Sequence, residues 1–333
     1  MVRGARLSLG PVSDPNIESQ PVSGRPVPDA GAGIDPAARA AILAWYRERG
    51  RPLAFRRTTD PYAILVSEAM AQQTQAARAA EAWERFMIRF PTVGDLATAA
   101  PSDVLRQWAG LGYDRRALAL WRTARIIVDE HGGLVPRDLD ALEALPGVGP
   151  YTARAVAALA FGTPVGAVDV NVRRVLGRAV AGTADALGAP AMQRLADASV
   201  PADHPGEWTH AVMDIGATVC RPRSPRCDAC PVRPWCRFAA AHAGDAIAAP
   251  TSTPAHPRNR ERPVPFVATN RWLRGRIMTR LRAAEGDAWS VVDGSIGEHD
   301  GDAVRRAILE LDRDGLVERR EVGDRWEVRL RSA

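Results

Sequence analysis

The chain has 333 residues and a mass of 35.9 kDa, which exceeds one ordinary domain and predicts two folded units with connectors. Hydrophobic residues make up 46% and charged residues 25% of the chain, so the composition excludes a collagen, a coiled coil and a fully disordered protein. No apolar run is long enough to span a bilayer, and the N-terminus lacks the apolar segment of a signal peptide. We therefore expect a cytoplasmic protein with no membrane partner.

The positive charge is carried entirely by arginine. All 44 basic residues are Arg, the formal net charge is +5 and the sequence pI is near 9.5. A planar guanidinium group binds phosphate in a bidentate manner, so this composition favours a polyanionic partner. A codon bias toward arginine is the alternative cause of the missing lysines. Under either explanation, no lysine amine is present to form a Schiff base.

Two segments have the composition of unstructured chain, because prolines recur in them without a periodic apolar pattern. We predict a disordered tail over 1–34, an all-α core over 35–238, a linker over 239–266 and a small unit over 267–333. Pro61 opens one core helix, and the other helices are predicted near residues 77–89, 102–109, 114–130, 138–145, 150–161, 170–180 and 206–219.

The helix that begins at Pro61 carries a carboxylate on its apolar face. Glu68 shares this face with Ile64 and Ala71, at spacings of four and three residues. Burial raises the pKa of a carboxyl group, so Glu68 could keep a proton at neutral pH and deliver it as a general acid. The alternative is a structural glutamate that is satisfied by a helix terminus or an arginine.

A glycine-rich turn separates the helices predicted at 138–145 and 150–161. Its sequence is Leu145-Pro-Gly-Val-Gly-Pro150, and the two glycines permit a tight turn. The N–H groups of Gly147, Val148 and Gly149, together with the positive end of the next helix, are predicted to bind a phosphate oxygen. An αα-hairpin that binds no ligand is the alternative.

A second carboxylate precedes the helix predicted at 170–180. Asp169 is a favoured N-cap residue, and capping alone would explain it. The same position supplies N–H groups and a helix dipole that would keep the carboxylate ionised, as stabilisation of a developing cation requires. With Glu68, it forms the pair used for glycosidic bond cleavage. This function requires the two side chains to lie close together, which the spacing alone does not establish.

All four cysteines lie within seventeen residues, at Cys220, Cys227, Cys230 and Cys236. In a chain without a signal sequence, this clustering favours a metal site over disulfides. Four cysteinates fit either a structural zinc ion or an iron-sulfur cluster, and unligated thiols are the remaining alternative.

The loop between the first two cysteines carries three arginines. A metal anchor would hold Arg221, Arg223 and Arg226 in a fixed array that contacts phosphates. A solvated charged loop is the alternative.

The last unit has the outline of a winged helix. Two amphipathic helices are predicted, one around Ile277 and one around Ile308, and Gly315 ends the second. Alternation through Trp326, Val328 and Leu330, after a Gly323-Asp324 turn, predicts a hairpin strand.

These residues together resemble the helix-hairpin-helix DNA glycosylases and, within them, the MutY-type adenine DNA glycosylases. The resemblance covers about residues 40–238. Besides the four-cysteine spacing, its markers are Ser67-Glu-Ala-Met-Ala-Gln-Gln-Thr-Gln75, Gly110-Leu-Gly-Tyr113, Leu145-Pro-Gly-Val-Gly-Pro-Tyr-Thr152 and Val168-Asp-Val-Asn-Val172. It implies a two-subdomain helical core, a 4Fe-4S cluster on the four cysteines, and a monomer associated with the nucleoid.

The implied activity is removal of adenine mispaired with 8-oxoguanine or guanine in double-stranded DNA, with the adenine flipped out of the duplex. By resemblance, Glu68 protonates adenine N7, and Asp169 stabilises the oxocarbenium-like sugar. Tyr151 and Asn171 match residues that orient these carboxylates, and Gln73 and Tyr113 match a wedge that enters the base stack.

Tyr151 occupies the position where the related endonuclease III family carries its Schiff-base lysine. The resemblance, together with the absence of lysine, therefore implies a monofunctional glycosylase that leaves an abasic site without cleaving the strand.

Several positions depart from the family pattern. The usual Asp-Gly-Asn is Asp169-Val170-Asn171, the usual Tyr-Tyr is Tyr113-Asp114, and a Pro-Trp-Arg segment near the adenine pocket is Leu53-Ala54-Phe55-Arg56. The final 65 residues do not match the Nudix-like domain with which many members read 8-oxoguanine. The preference for 8-oxoguanine over guanine therefore stays open.

Two other functions remain as alternatives. One is a non-catalytic DNA-binding regulator with a redox-sensing cluster, which would not need Glu68 on an apolar helix face. The other is a glycosylase of the same fold for mismatched thymine or oxidised pyrimidines. Two features count against it: the Gln72-Gln73-Thr74 run and the absence of lysine.

Overall fold

The structure is a computed structural model that describes residues 31–242, 264–323 and 325–332. The first thirty residues of the predicted tail and residues 243–263 of the predicted linker lie outside the described residues. Ile34, the last residue of the predicted tail, is buried, and its N–H donates to Ser199 Oγ at 3.1 Å. The folded core therefore already includes Ile34.

The described residues up to 242 form an all-α core, which confirms the predicted fold class. Its helices are α1 Pro36–Arg49, α2 Pro61–Ala71, α3 Ala76–Arg89, α4 Val93–Thr98, α5 Pro101–Gln107, α6 Arg115–His131, α7 Leu139–Glu143, α8 Pro150–Phe161, α9 Val170–Leu176, α10 Ala189–Ser199, α11 Pro205–Thr218 and α12 Arg237–Ala241.

Most of these helices agree with the predicted ranges, but the helix predicted at 170–180 does not continue as one α-helix. It passes at Gly177 into a π-helical turn, Gly177–Ala181. A Cβ atom on Gly177 would lie 2.8 Å from the carbonyl oxygens of Thr183 and Ala184, so the chain folds back tightly on this turn. Such single π turns inside helices are frequent at functional sites.

The core has two hydrophobic clusters, as the two-subdomain prediction requires. One is built from α2 to α8, and the other from α1, α9 to α11 and the cysteine loop. Helix α8 packs against α2 of the first cluster and against α11 of the second. The segments that carry Glu68, Tyr151 and Asp169 therefore meet at the junction of the two clusters.

The C-terminal unit consists of two helices and a small antiparallel sheet. The helices are α13 Asn270–Arg282 and α14 Gly301–Arg313, and the strands are β1 Ser290–Val291, β2 Val317–Val322 and β3 Arg325–Leu330 in the order β1-β3-β2. Gly315 follows α14 with a φ of +73°, a left-handed conformation that glycine adopts without strain. Helix, helix and hairpin agree with the predicted winged-helix outline.

This unit packs directly on the first cluster, and its buried apolar side chains are continuous with those of the core. Arg282 donates through Nε to the Leu105 carbonyl at 2.9 Å and pairs with Asp114 at 2.7 Å. These contacts hold α13 beside the loop that carries Tyr113. Among the described helices, none combines the length and the apolar character needed to cross a bilayer.

Candidate active site and nucleic-acid interface

A cleft of about 1710 Å³ lies between the core and the C-terminal unit, beside their packed contact. Glu68, Tyr151 and Asp169 line it from the core side, so the structure brings the two predicted carboxylates into one cavity. Seven arginines also line the cleft, namely Arg115, Arg116, Arg173, Arg271, Arg274, Arg276 and Arg313. A cavity with carboxylates inside and guanidinium groups around it suits a polyanion whose reactive part enters the cavity.

Glu68 is buried in α2, with 7% of its surface exposed. Burial and, to a lesser extent, the nearby Asp169 charge raise the pKa of Glu68, and the net value is about 7. Two neighbours act in the opposite direction: the Tyr151 hydroxyl donates to Glu68 Oε2 at 3.1 Å, and the Arg56 charge favours the ionised form. Burial also raises the pKa of Tyr151 well above its ordinary value, so this hydroxyl keeps its proton as a donor. A large fraction of Glu68 is therefore protonated at neutral pH.

The pKa of Glu68 predicts how the rate depends on pH. If Glu68 delivers a proton, the single-turnover rate should stay constant well below pH 7 and fall about tenfold per pH unit above it. Rates between pH 5.5 and 9 under enzyme excess would measure this dependence, with folding checked at each pH. A rate that rises through pH 7 would indicate a general base instead.

Asp169 is the N-cap of α9. Its Oδ1 accepts from the N–H groups of Asn171 and Val172 at 2.8 and 2.7 Å, and its Oδ2 accepts from Asn171 Nδ2 at 2.8 Å. The three donors fix the orientation of Asp169, so one side chain both caps α9 and lines the cleft.

A chain of hydrogen bonds runs from Asp169 to the cysteine loop. Asn171 accepts through Oδ1 from Arg174 at 2.7 Å, and Arg174 donates through Nε to the Cys220 carbonyl at 2.6 Å. Arg174 also donates to the Gly216 carbonyl at 2.7 Å. The sequence analysis did not identify Arg174, although an arginine at the i+3 position from Asn171 on a short apolar helix was a usable signal.

Gly216 permits the close approach of α11 to α9. A Cβ atom there would lie 2.5 Å from Asn171 Cβ and 3.0 Å from Asn171 Cα. We predict that Gly216→Ala lowers the free energy of unfolding by about 1–3 kcal/mol through overpacking, and lowers the excision rate at least about tenfold because Asn171 and Asp169 shift. Gly206→Ala, in the first turn of the same helix, is the milder comparison, because its Cβ atom would lie 3.3 Å from the Ala158 carbonyl oxygen, a tight contact without the overlap at Gly216. Equal effects of both variants would contradict this role.

A buried ion pair lies next to Glu68. Asp214 on α11 accepts from Arg56 at 2.7 and 2.8 Å and from the Arg51 backbone N–H and Nε at 2.8 and 2.6 Å. These donors hold the pKa of Asp214 below its ordinary value despite its burial. Arg56 lies in the segment that departs from the family pattern, and it retains the guanidinium group beside Glu68.

Asp214 and His210 were missed by the sequence analysis. His210 is also next to this ion pair, and burial together with the Arg56 charge lowers the pKa of His210 to about 3, so its ring is neutral. Asp214 shares its helix face with Ala211 and Ala217, each three residues away, which resembles the spacing that identified Glu68.

Gln73 and Tyr113, the predicted wedge, share an unusual backbone conformation. Their φ angles are +54° and +49°, and no other described residue except glycine has a positive φ. Both side chains are exposed, Tyr113 by 49%, and both line the cleft. Strained conformations of this kind persist only where the surrounding structure imposes them, and they cluster at ligand contacts.

Arg116 connects the two segments that carry Gln73 and Tyr113. From α6, its guanidinium group donates to the carbonyls of Ala69, in the last turn of α2, and of Gln72, directly before Gln73. It also donates to those of Leu111 and Gly112 in the Tyr113 loop. The same group lies 5.6 Å from the centre of the Tyr113 ring. Sequence analysis missed this residue, because a single arginine on a predicted helix looks like a solvated side chain.

We predict that Arg116→Gln lowers the single-turnover excision rate about 100-fold, since both wedge loops lose the donors that position them. The rate should be compared with the melting temperature and with Arg122→Gln, an exposed arginine on the same helix. A variant that remains folded and excises at the rate of the unmodified protein would contradict the role of Arg116.

The hairpin from Leu145 to Pro150 has the predicted tight turn, with a φ of +80° at Gly147. A Cβ atom on Gly147 would lie 2.9 Å from Ala119 Cβ on α6. Of the three predicted phosphate donors, Val148 uses its N–H within the turn, on the Leu145 carbonyl at 3.1 Å, and its side chain is buried. Gly147 and Gly149 are exposed and remain the candidate donors.

The four cysteines lie around one small cavity, which Arg178 and Phe238 also line. Arg178 donates to Cys220 Sγ at 3.4 Å and to the carbonyls of Arg221 and Pro222 at 2.8 Å. Within the described residues, no three His, Cys, Asp or Glu side chains converge closely enough to share a single metal ion. The four cysteines are thus neighbours around one cavity.

The arginine loop next to these cysteines is anchored as well as exposed. Arg221 and Arg226 both donate to the Thr218 carbonyl, at 3.3 and 3.1 Å. Arg223 lies between them and is exposed. The loop thus presents positive charge from a fixed backbone.

Comparison with known proteins identifies the family of the chain. Residues 66–199 match the HhH-GPD superfamily of base excision DNA repair proteins. The adenine DNA glycosylase of Mycobacterium tuberculosis is 47% identical over 257 residues, which are 73% of this chain and 78% of that protein. The adenine DNA glycosylase of Mycolicibacterium smegmatis is 39% identical over 279 residues, which are 83% of this chain and 91% of that protein.

Among solved structures, a thermostable thymine-DNA glycosylase superposes with a TM-score of 0.58 at 31% identity, over 61% of this chain and 95% of that structure. The family match, the identity over most of the mycobacterial proteins and the shared fold lead to one conclusion. This chain belongs to the adenine DNA glycosylases of the HhH-GPD superfamily, which act in base excision DNA repair.

Proposed function

We propose that this protein hydrolyses the N-glycosidic bond of adenine mispaired with 8-oxoguanine or guanine and leaves an abasic site. The observation that carries this proposal is the pair of carboxylates in one cleft. Glu68 is buried, has a pKa of about 7 and accepts from Tyr151, whereas Asp169 is held by three donors.

The two carboxylates divide the reaction between them. The Glu68 carboxyl group donates its proton to adenine N7 while the bond between C1′ and N9 breaks, so adenine leaves as a neutral base. Asp169 stabilises the positive charge that develops on the sugar. Water then adds to C1′ and loses a proton, which balances the proton that Glu68 gave up.

The surroundings of the cleft suit a flipped nucleotide. Gln73 and Tyr113 have positions and strained backbones that suit entry into the base stack next to the extruded adenine. Gly147, Gly149 and Arg221 are suited to bind the phosphates of the same strand.

Strand cleavage is not expected, because Tyr151 replaces the lysine amine that a β-elimination would require and the chain contains no lysine. We also propose that the enzyme acts as a monomer, which the mass in solution would test.

Cys220, Cys227, Cys230 and Cys236 would hold a 4Fe-4S cluster, which would stabilise the loop that carries Arg221. We favour a cluster over zinc because the spacing of the four cysteines resembles that of the family, whereas four cysteinates alone would fit either metal centre. Elemental analysis should find about four iron atoms and sulfides per chain in brown protein; stoichiometric zinc in colourless protein would contradict this assignment.

The activity is tested with duplexes that carry adenine opposite 8-oxoguanine, guanine or thymine, and with thymine opposite guanine. Each reaction is divided and analysed with and without alkali. Strand breaks at adenine that appear only after alkali would support a monofunctional adenine glycosylase and rank the opposite bases. Release of thymine instead would favour the thymine-specific alternative, and tight binding without release of any base would favour the DNA-binding regulator.

A further inference from the structure

The C-terminal unit forms one wall of the catalytic cleft. From α13, the residues that line the cleft include Arg271, Gly275, Arg276 and Thr279, all of them exposed. These four residues are called the α13 face. Arg271 also lies 4.7 Å from the centre of the Tyr113 ring, so the α13 face is continuous with the wedge loop on the opposite wall.

The α13 face carries uncompensated positive charge. Within the described part of the chain, Arg271 and Arg276 contact the rings of Tyr113 and Trp272 but no carboxylate. Two carboxylates do line this wall, Glu310 and Asp314. Both pair with Arg274, and Asp314 also pairs with Arg115 at 3.2 Å, so they do not neutralise Arg271 or Arg276.

The α13 face also contains a glycine, Gly275, that internal packing does not explain. It lies inside α13, where glycine is the least favourable residue apart from proline. A Cβ atom on Gly275 would meet no atom within 4 Å, so packing inside the protein does not require glycine there. A missing side chain between exposed arginines instead allows a ligand to approach the helix backbone closely.

We propose that the α13 face is a second DNA-binding surface, which binds the phosphate backbone of the duplex held in the cleft. Arg271 and Arg276 would contact phosphates, and Gly275 would leave room for the backbone between them. Contacts of this kind add affinity without reading sequence. The inference rests on the proposed function for the identity of its ligand, a DNA duplex with one nucleotide in the cleft.

The test measures equilibrium binding of the full, cluster-loaded chain to an undamaged duplex over a range of salt concentrations. Each lost phosphate contact lowers the slope of log K against log salt by about 0.9. Arg271→Ala with Arg276→Ala should therefore lower the slope by about 2 and weaken binding about tenfold or more. The matched control is Arg305→Ala with Arg306→Ala, two exposed arginines of the same unit that do not line the cleft.

Gly275→Leu tests the close approach independently of charge. Leucine favours a helix more than glycine does, so the melting temperature should rise, while binding should weaken about tenfold with little change in the salt slope. A protein that melts higher and binds DNA as tightly as the unmodified chain would overturn the role of Gly275.

Equal changes in slope for the two arginine pairs would overturn the α13 face as a specific surface. Excision is measured on the same preparations with mispaired duplexes. If adenine is released but the two arginine pairs change the salt slope equally, the α13 face is contradicted and the proposed function is not. If the slopes differ clearly but no adenine is released, the proposed function is contradicted and the assignment of the α13 face as a DNA-binding surface stands.

Discussion

Glu68→Gln should abolish adenine excision, with a loss of about 1,000-fold or more in the single-turnover rate. General acid catalysis contributes about 10²–10⁴-fold, and Glu68 is the cleft residue whose pKa, about 7, suits this role. Glutamine has the same shape and can still accept from the Tyr151 hydroxyl, so the substitution removes the proton and leaves the packing. The rate is measured with enzyme in excess over a duplex that contains the mispair.

Glu68→Gln should lose activity but gain stability at alkaline pH. The folded pKa of Glu68, about 7, lies above the ordinary value of 4.5, so the folded state binds this proton more tightly. The free energy of unfolding of the unmodified protein therefore falls as pH rises from 4.5 to 7. At pH 8, Glu68→Gln should be more stable than the unmodified protein by up to about 3 kcal/mol.

Three measurements make this prediction specific. DNA binding by Glu68→Gln should remain, because the charges at the rim of the cleft are unchanged. Below pH 4.5, the stability difference should vanish, since both states of the unmodified protein are then protonated. Full excision activity in a variant with normal DNA binding would show that another group supplies the proton.

The fold was largely predictable because its helices carry strong local signals. Asp60-Pro61 begins α2, Gly315 ends α14, and apolar spacing defines the helices between them. The π turn at Gly177 was not predictable, since the carbonyls of Thr183 and Ala184 that crowd this glycine come from the returning chain.

The candidate site was predictable where a charged residue lies on an otherwise apolar helix face. Glu68 and Asp214 both interrupt apolar helix faces, but only Glu68 belongs to the predicted site. The proximity of Glu68 to Asp169 depends on the packing of α8 against α2 and α11, which no local spacing encodes. The role of Arg116 could not be predicted from the sequence either, because its carbonyl acceptors Gln72 and Gly112 are about forty residues apart.

Asp169→Asn should lower the excision rate about 100- to 1,000-fold, the range for loss of one preorganised group that stabilises transition-state charge. Asparagine caps helices about as well as aspartate, so α9 should keep its N-terminus. The new amide, however, would face Asn171 Nδ2, and two donors cannot bond to each other. If Asn171 turned its amide over to compensate, it would lose the acceptor that Arg174 uses at 2.7 Å.

The matched control is Asp138→Asn. Asp138 caps α7 through the N–H groups of Asp140 and Ala141, both at 3.1 Å, and does not line the cleft. Both substitutions should leave the free energy of unfolding within about 1–2 kcal/mol of the unmodified value, and only Asp169→Asn should lose excision. Equal excision by both variants would mean that Asp169 acts as a cap and that another group stabilises the sugar cation. A loss at Asp169 without loss of stability would separate its chemical role from its structural one.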